Sequence, residues 1–306
     1  MSKVVIVKMP ELVSSIKIAK AEYESLLLTG LMELTGSDSA IDALKKIVPR
    51  GKVGLKANCL TGRFNATSTA LVETLGDLLV NAGFKDNEII VWDRSSAELK
   101  RAGYTLNASV FGRRCFGTDA SDAGYSSDFY SSGKANSLVS RILTDMVDSN
   151  INMPVLKDHS IAGLSGAMKN MFGAINNPNK YHGDNCNPYA ADVSNLEPIK
   201  KKNGLIIMDA TRVQYHAGPG YNAQYLYNYN GILLATDPVA IDRVGVEIVE
   251  HCRQENKMKS LADDKRPAKD IQTAEKIGLG TANLDAIDLK VIEIKNNGTI
   301  STGSLF

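Results

Sequence analysis

The chain has 306 residues, 43% of them hydrophobic, enough to bury one large α/β domain or two smaller lobes. Its 35 Lys and Arg against 34 Asp and Glu exclude the basic excess of a nucleic-acid binder, and no apolar run is long enough to span a bilayer. Cys59, Cys115, Cys186 and Cys252 stand far apart, with no CxxC and no ferredoxin-like run; they read as free buried thiols, and no iron–sulfur cluster is expected from this chain.

The opening MSKVVIVKMPE holds a short strand, KVVIVK, and lacks the long apolar core of a signal peptide. This favours the cytoplasm and leaves an exported form with a trimmed leader open. Ser15 to Leu34 predicts a helix from the spacing of Ile16, Ile18, Ala19, Tyr23, Leu26, Leu27 and Leu31, stopped by Gly36. KVGLKA is a second strand, followed by a helix from about Thr67 to Ala82 that ends at Gly83. EIIVWD is a third strand, ending at Asp93. Gly112 to Gly133, rich in Gly, Ser and Asp, predicts a long loop. Ser137 to Val147 predicts a helix and INMPVL a strand. GLIIMDA and GILLAT are further strands, and IKKKNG between them and the preceding loop is a solvated helix end. DPVAIDRVGVEIVE is a helix with Asp237 as N-cap and Pro238 in its first turn. Lys269 to Lys276 is a late helix, and LKVIEI closes the order. The alternation predicts an α/β fold of mostly parallel sheets flanked by helices. It forms one unit over residues 1–306, or two Rossmann-like lobes (about 1–135 and 136–306) around a cleft.

In open α/β sheets, ligands gather at the carboxyl ends of strands. Two of those ends read alike: Lys56, Asn58 and Gly62 recur as Lys157, His159 and Gly163, at a constant offset of 101 positions. Residues two apart in a strand share a face, so each end presents a cation and a polar group together. Chance accounts for a match this short; a shared cleft accounts for it as well.

The second of these ends runs into HSIAGLSGAMKNMFG. Leu164, Met168, Met171 and Phe172 form one apolar helix face, with Ser165, Gly166, Lys169, Asn170 and Gly173 opposite. Ser165 reads as the N-cap or a first-turn residue. The glycines allow close backbone approach, and a helix start suits phosphate or carboxylate. Lys169 is an exposed helix lysine or the charge that holds such a ligand. His182 follows in the loop NNPNKYHGDNCNPY, so His159 and His182 are candidates for a metal-ligand pair or an acid–base pair.

Asp209 ends a strand and is either a site acid or a turn residue. Asp242 shares a stripe with Val239, Val246 and Val249 and therefore points inward, where it needs a partner; Lys56 and Lys157 are the natural ones. The tyrosines of YHAGPGYNAQYLYNYNG are expected to pack on their own sheet.

Taken together, VGLKANC, PVLKDHSIAGLSGAMKNMFGAI, YHGD, LIIMDA, AGPG and LLATDPVAIDRVG resemble the family called domain of unknown function 362, over about Val4 to Ile294. Members of that family are often fused to ferredoxin-like modules and some carry export signals; this chain departs on both counts. The H-x3-G-L-S-G-x2-K element is also similar to one in nickel-pincer lactate racemases. That likeness implies Lys169 as the tether of a nucleotide-derived metal cofactor, His159 as an acid–base residue and His182 as a metal ligand.

The sequence thus points to an enzyme for a small anionic metabolite, racemase- or epimerase-like in its sharpest form. Lys56, Asn58, Lys157, His159, Gly163, Ser165, Gly166, Lys169, Asn170, His182, Asp209 and Asp242 would line its cleft, with a divalent metal or nucleotide-derived metal cofactor as the implied group. The alternative is a non-catalytic metal-, cofactor- or anion-binding accessory protein of redox metabolism. The expected partners are the small anion and either a second copy of the chain or a redox protein, with no nucleic acid and no membrane span.

Overall fold

The computed structural model describes residues 1–12 and 18–306. The expected start of the first helix, at Ser15 and Ile16, lies outside them. In chain order the strands are β1 (Ser2–Lys8), β2 (Val53–Lys56), β3 (Ile89–Asp93), β4 (Arg114–Gly117), β5 (Tyr130–Ser132), β6 (Ala135–Ser137), β7 (Ser149–Asn152), β8 (Val155–His159), β9 (Gly163–Ser165), β10 (Asn203–Gln214), β11 (Leu226–Tyr227), β12 (Gly231–Ala235), β13 (Ile287–Ile294) and β14 (Ile300–Thr302). The α-helices are α1 (Lys20–Thr35), α2 (Ala40–Ile47), α3 (Thr69–Asn81), α4 (Ser96–Ala102), α5 (Ala167–Asn170), α6 (Tyr189–Ser194), α7 (Glu197–Lys202), α8 (Pro238–Glu255) and α9 (Lys269–Lys276).

The main sheet runs β14-β13-β1-β12-β10-β7-β2-β3-β4, with β8 and β11 added to β10 and β9 to β8. From β10 to β4 every pairing is parallel, as is β1 with β13. β12 is antiparallel to both its neighbours, β1 and β10. The fold is therefore α/β with a mostly parallel central sheet. Strands buried on both faces explain the continuous apolar runs VVIV, IIVW and ILLA. One core packs α1, α2 and α3 against one face through Leu26, Leu27, Leu44, Leu71 and Leu75. A second packs α8 on the other face through Ile241, Val244 and Ile248.

Three segments differ from the sequence expectation. INMPVL is two strands, not one, because Pro154 has no N–H for the ladder and instead offers its carbonyl to Asp209 N at 2.8 Å. The long β10 pairs first with β7 and then with β8, which bridges the break. Ser137–Val147 is not an α-helix; only Ile142–Met146 coils, as a π-turn. The amides of Ser140 and Arg141 are held instead by the carbonyls of Ala174 and Gly124. The expected loop Gly112–Gly133 contains β4, whose Cys115 and Phe116 are buried at the sheet edge.

Candidate functional site

The parallel strands β2, β3 and β7 end side by side, and β8 ends beside β10, so their terminal side chains share one region. Lys56, 1% exposed, ends β2. Its ammonium pairs with Asp93 Oδ1 at 2.7 Å and lies over the Trp92 ring. Lys157, also 1% exposed, lies on β8 and donates to Asn58 Oδ1 at 2.9 Å, Asn65 O at 2.9 Å and Thr61 Oγ1 at 3.3 Å.

An ammonium can only donate, and this sets the polarity of everything between the two lysines. Asn58 must turn its oxygen to Lys157, which leaves Nδ2 to donate to Asn170 Oδ1 at 3.0 Å. The same oxygen accepts from Lys56 at 3.2 Å. Asn170 Nδ2 then donates to Asn152 Oδ1 at 2.8 Å, and Asn152 Nδ2 to Ala167 O at 2.9 Å. The two alike strand ends are thus tied into one satisfied, buried network. Burial pushes the Lys157 ammonium down to about 7, since the groups it touches are all neutral.

Lys169 and Asn170 do not share a destination. Asn170 points into the network above, whereas Lys169 turns to the loop after α5 and reaches His182 Nε2 at 3.1 Å. His182 Nδ1 faces the carbonyls of Pro178 and Asn179 at 3.2 and 3.3 Å, so it carries the proton and Nε2 accepts from Lys169. His159 stacks on His182 with ring centroids 5.7 Å apart. Its Nδ1 accepts from the amides of Ile161 and Ala162, both at 3.2 Å, which puts the proton on Nε2. The Phe172 ring lies under the Lys169 ammonium at 3.8 Å. Burial holds Lys169 down at about 8. Burial first, and the Lys169 charge second, hold His159 down at about 3 and lower His182 as well.

The start of α5 is not an open anion cradle. Asp242, on α8, accepts from the amides of Ala167 at 2.5 Å and Met168 at 2.9 Å, and burial pushes its carboxyl up to about 8. The inward orientation of Asp242 was readable; its partners are these amides, not Lys56 or Lys157. Ser165 is no N-cap, because it lies in β9 opposite Lys157, and Gly166 holds that position. Nor do the glycines approach a ligand: a Cβ at Gly163 would meet the carbonyl of Arg266, and one at Gly166 the carboxylate of Asp242.

Asp209 does not end its strand, because β10 runs on to Gln214, and it stands elsewhere again. It is held by Thr211 Oγ1 at 2.7 Å, Thr211 N at 3.1 Å, Ser68 N at 3.2 Å and the Tyr23 hydroxyl at 3.4 Å, and it lines a separate cavity. Two groups were missed in the sequence. Asp93, the partner of Lys56, closes a strand and obeys the strand-end rule that picked out its neighbours. Asp270, in the first turn of α9, is buried; desolvation raises it to about 7, and the nearby Lys169 charge lowers it. No spacing rule reaches it.

Among the described residues, no group of three or more His, Cys, Asp and Glu side chains is placed to hold a metal ion. His182 has both ring nitrogens engaged and His159 has one, so the pair as arranged does not fit a metal or the nickel cofactor of the resemblance.

Residues 53–247 match the family described as Domain of unknown function (DUF362). The chain belongs to that family. Every site residue expected from the sequence falls within the DUF362 match, while Asp270 lies beyond it. No curated protein matches the chain. Among solved structures it is similar to the crystal structure of a Thermotoga maritima protein, at 10% identity and a TM-score of 0.42. That alignment covers 80% of this chain and 61% of the other. No helix of this DUF362 chain is long and apolar enough to cross a membrane, among the described residues.

Proposed function

We propose that the protein is an enzyme that holds a small carboxylate-bearing metabolite beside Lys169 and moves a proton there. The observation that carries this reading is the Lys169–His182 contact at 3.1 Å: an ammonium, lowered to about 8, whose hydrogen-bond partner is a neutral imidazole. Among the described residues no carboxylate lies within ion-pair distance of it, so the charge is available to an anion. His159 supports the reading, because its Nε2–H is a donor that stays neutral at physiological pH. In this scheme the Lys169 ammonium draws the anion in and His159 Nε2–H holds its carboxylate. Lys169 gives up one proton to solvent, and the resulting amine, oriented by His182, takes a proton from the adjacent carbon and returns it to that carbon.

The test is solvent-deuterium incorporation, by NMR in D2O, into a panel of small 2-hydroxy and 2-amino acids. Wild-type protein should label at least one of them. Lys169→Ala and His182→Ala should each slow labelling about 100-fold or more. Carboxylate binding with no labelling would make the protein an accessory binder. Labelling untouched by Lys169→Ala would remove the site assignment.

A further inference from the structure

Asp209 belongs to a second site that the Lys169 chemistry does not use. A cavity of about 470 Å3 opens where α3 begins, lined among others by Tyr23, Arg63, Phe64, Asp209 and Arg212. That volume suits a small metabolite. Its charges are unevenly satisfied. Glu73, also on the wall, pairs with Lys20 at 3.0 Å. Arg63 and Arg212, by contrast, have no carboxylate within ion-pair distance among the described residues. Arg212 Nη2 reaches the carbonyl of Phe64, the residue after Arg63, at 3.3 Å, so the Arg212 guanidinium lies beside the chain segment that carries Arg63, and both residues line the cavity.

Asp209 is 4% exposed and touches only neutral donors. Its Oδ1 takes two contacts from Thr211, at 2.7 and 3.1 Å; its Oδ2 has only the longer ones, 3.2 Å to Ser68 N and 3.4 Å to the Tyr23 hydroxyl. That oxygen retains capacity for a shorter hydrogen bond from a hydroxyl. Phe64 and Tyr221, with ring centroids 5.2 Å apart, extend the same rim.

We infer that this cavity binds a phosphate monoester of a small hydroxylated compound, with Arg63 and Arg212 on the phosphate and Asp209 on a hydroxyl. Two guanidiniums without acidic partners match the two negative charges of a phosphate monoester, and their forked donors match its oxygens. The buried Asp209 carboxylate, on the same cavity wall, repels a second anionic group and selects an O–H.

Calorimetric titration with glycerol 3-phosphate and ribose 5-phosphate tests this, with glycerate and glycerol as comparisons. At least one phosphate ester should bind wild type and Lys169→Ala alike. Binding should fall about tenfold or more in the Arg63→Ala/Arg212→Ala double variant and in Asp209→Asn. Both arginines reach solvent, so the double variant should melt as wild type does. The assignment is overturned if neither ester binds, if the double variant binds as wild type does, or if glycerate binds as tightly as the esters. An ester lost with Lys169→Ala would belong to the other cluster and would also overturn it, whatever the fate of the proton-transfer reading.

Discussion

Lys169 differs from an ordinary surface lysine by what surrounds its nitrogen: a phenyl ring below, a neutral imidazole beside it, and no carboxylate in ion-pair contact among the described residues. Burial lowers it from 10.5 to about 8. The folded chain therefore holds fewer protons on this residue than the unfolded chain between about pH 8 and 10.5. The contribution of Lys169 to stability is unfavourable below that window and is relieved as pH rises through it. The same shift sets reactivity. Reductive methylation of Lys169, followed by peptide mass spectrometry, should show a midpoint near pH 8, well below that of ordinary exposed lysines. A shared midpoint would mean that the ammonium is fully solvated.

Sequence logic reached most of this cluster but not its wiring. Strand-end position picked out Lys56, Asn58, Lys157 and His159, which a parallel sheet forces together; it also picked out Asp209, which lies inside β10 and faces a separate cavity. The stripe through Val239 and Val246 told which way Asp242 faces. What it binds was hidden, because its partners are backbone amides of a segment 74 and 75 residues away, and amides have no residue letter. Lys169 and Asn170 were read as one surface because they are adjacent. In a four-residue helix that adjacency is a turn of about 100° between side chains, enough to send them to different networks.

At the level of elements, the pairing of Gly62 with Gly163 separates likeness of backbone from likeness of role. Both have left-handed φ, +75° and +82°, which a side chain adopts at a cost of about 1–2 kcal/mol. Nothing lies within 4 Å of where a Cβ would stand at Gly62. At Gly163 the tight β8–β9 connection is pressed on the carbonyl of Arg266, whose guanidinium in turn binds Asp158 on β8. Gly62→Ala should therefore lower stability in urea by about 1–2 kcal/mol. Gly163→Ala should cost about 4 kcal/mol or more, or prevent folding, because backbone must move. Equal losses would show that the Arg266 contact gives way. The expected strand INMPVL carries the same lesson: its apolar run was legible, but the break at Pro154 follows from a missing N–H, and only the long β10 reveals how the sheet is carried across it.

On the scale of the whole molecule, the two halves of the sequence do not keep to separate sheets. β10 pairs with β7 on one side and β12 on the other, and β12 leads directly to β1, so β1, from before residue 135, lies between strands from after it in one ladder. The cores cross the same boundary: Val5, Leu55, Leu75, Ile207 and Leu234 belong to a single cluster under α1 and α3. A split into lobes near residue 135 would have to strip β2 from β7, exposing Leu55 and Ile151 together. That loss of apolar contact costs more than opening either end of the sheet, so unfolding should be one cooperative event. The chain supplies its own probe, since its single tryptophan, Trp92, is fully buried on β3, far along the sheet from β1 and β13. Trp92 fluorescence and far-ultraviolet circular dichroism should give coincident urea transitions. A fluorescence transition that precedes or trails the dichroism would mean that the β2–β3–β4 side melts alone. The lysine network at the end of β2 would then sit on a hinge between two bodies rather than within one.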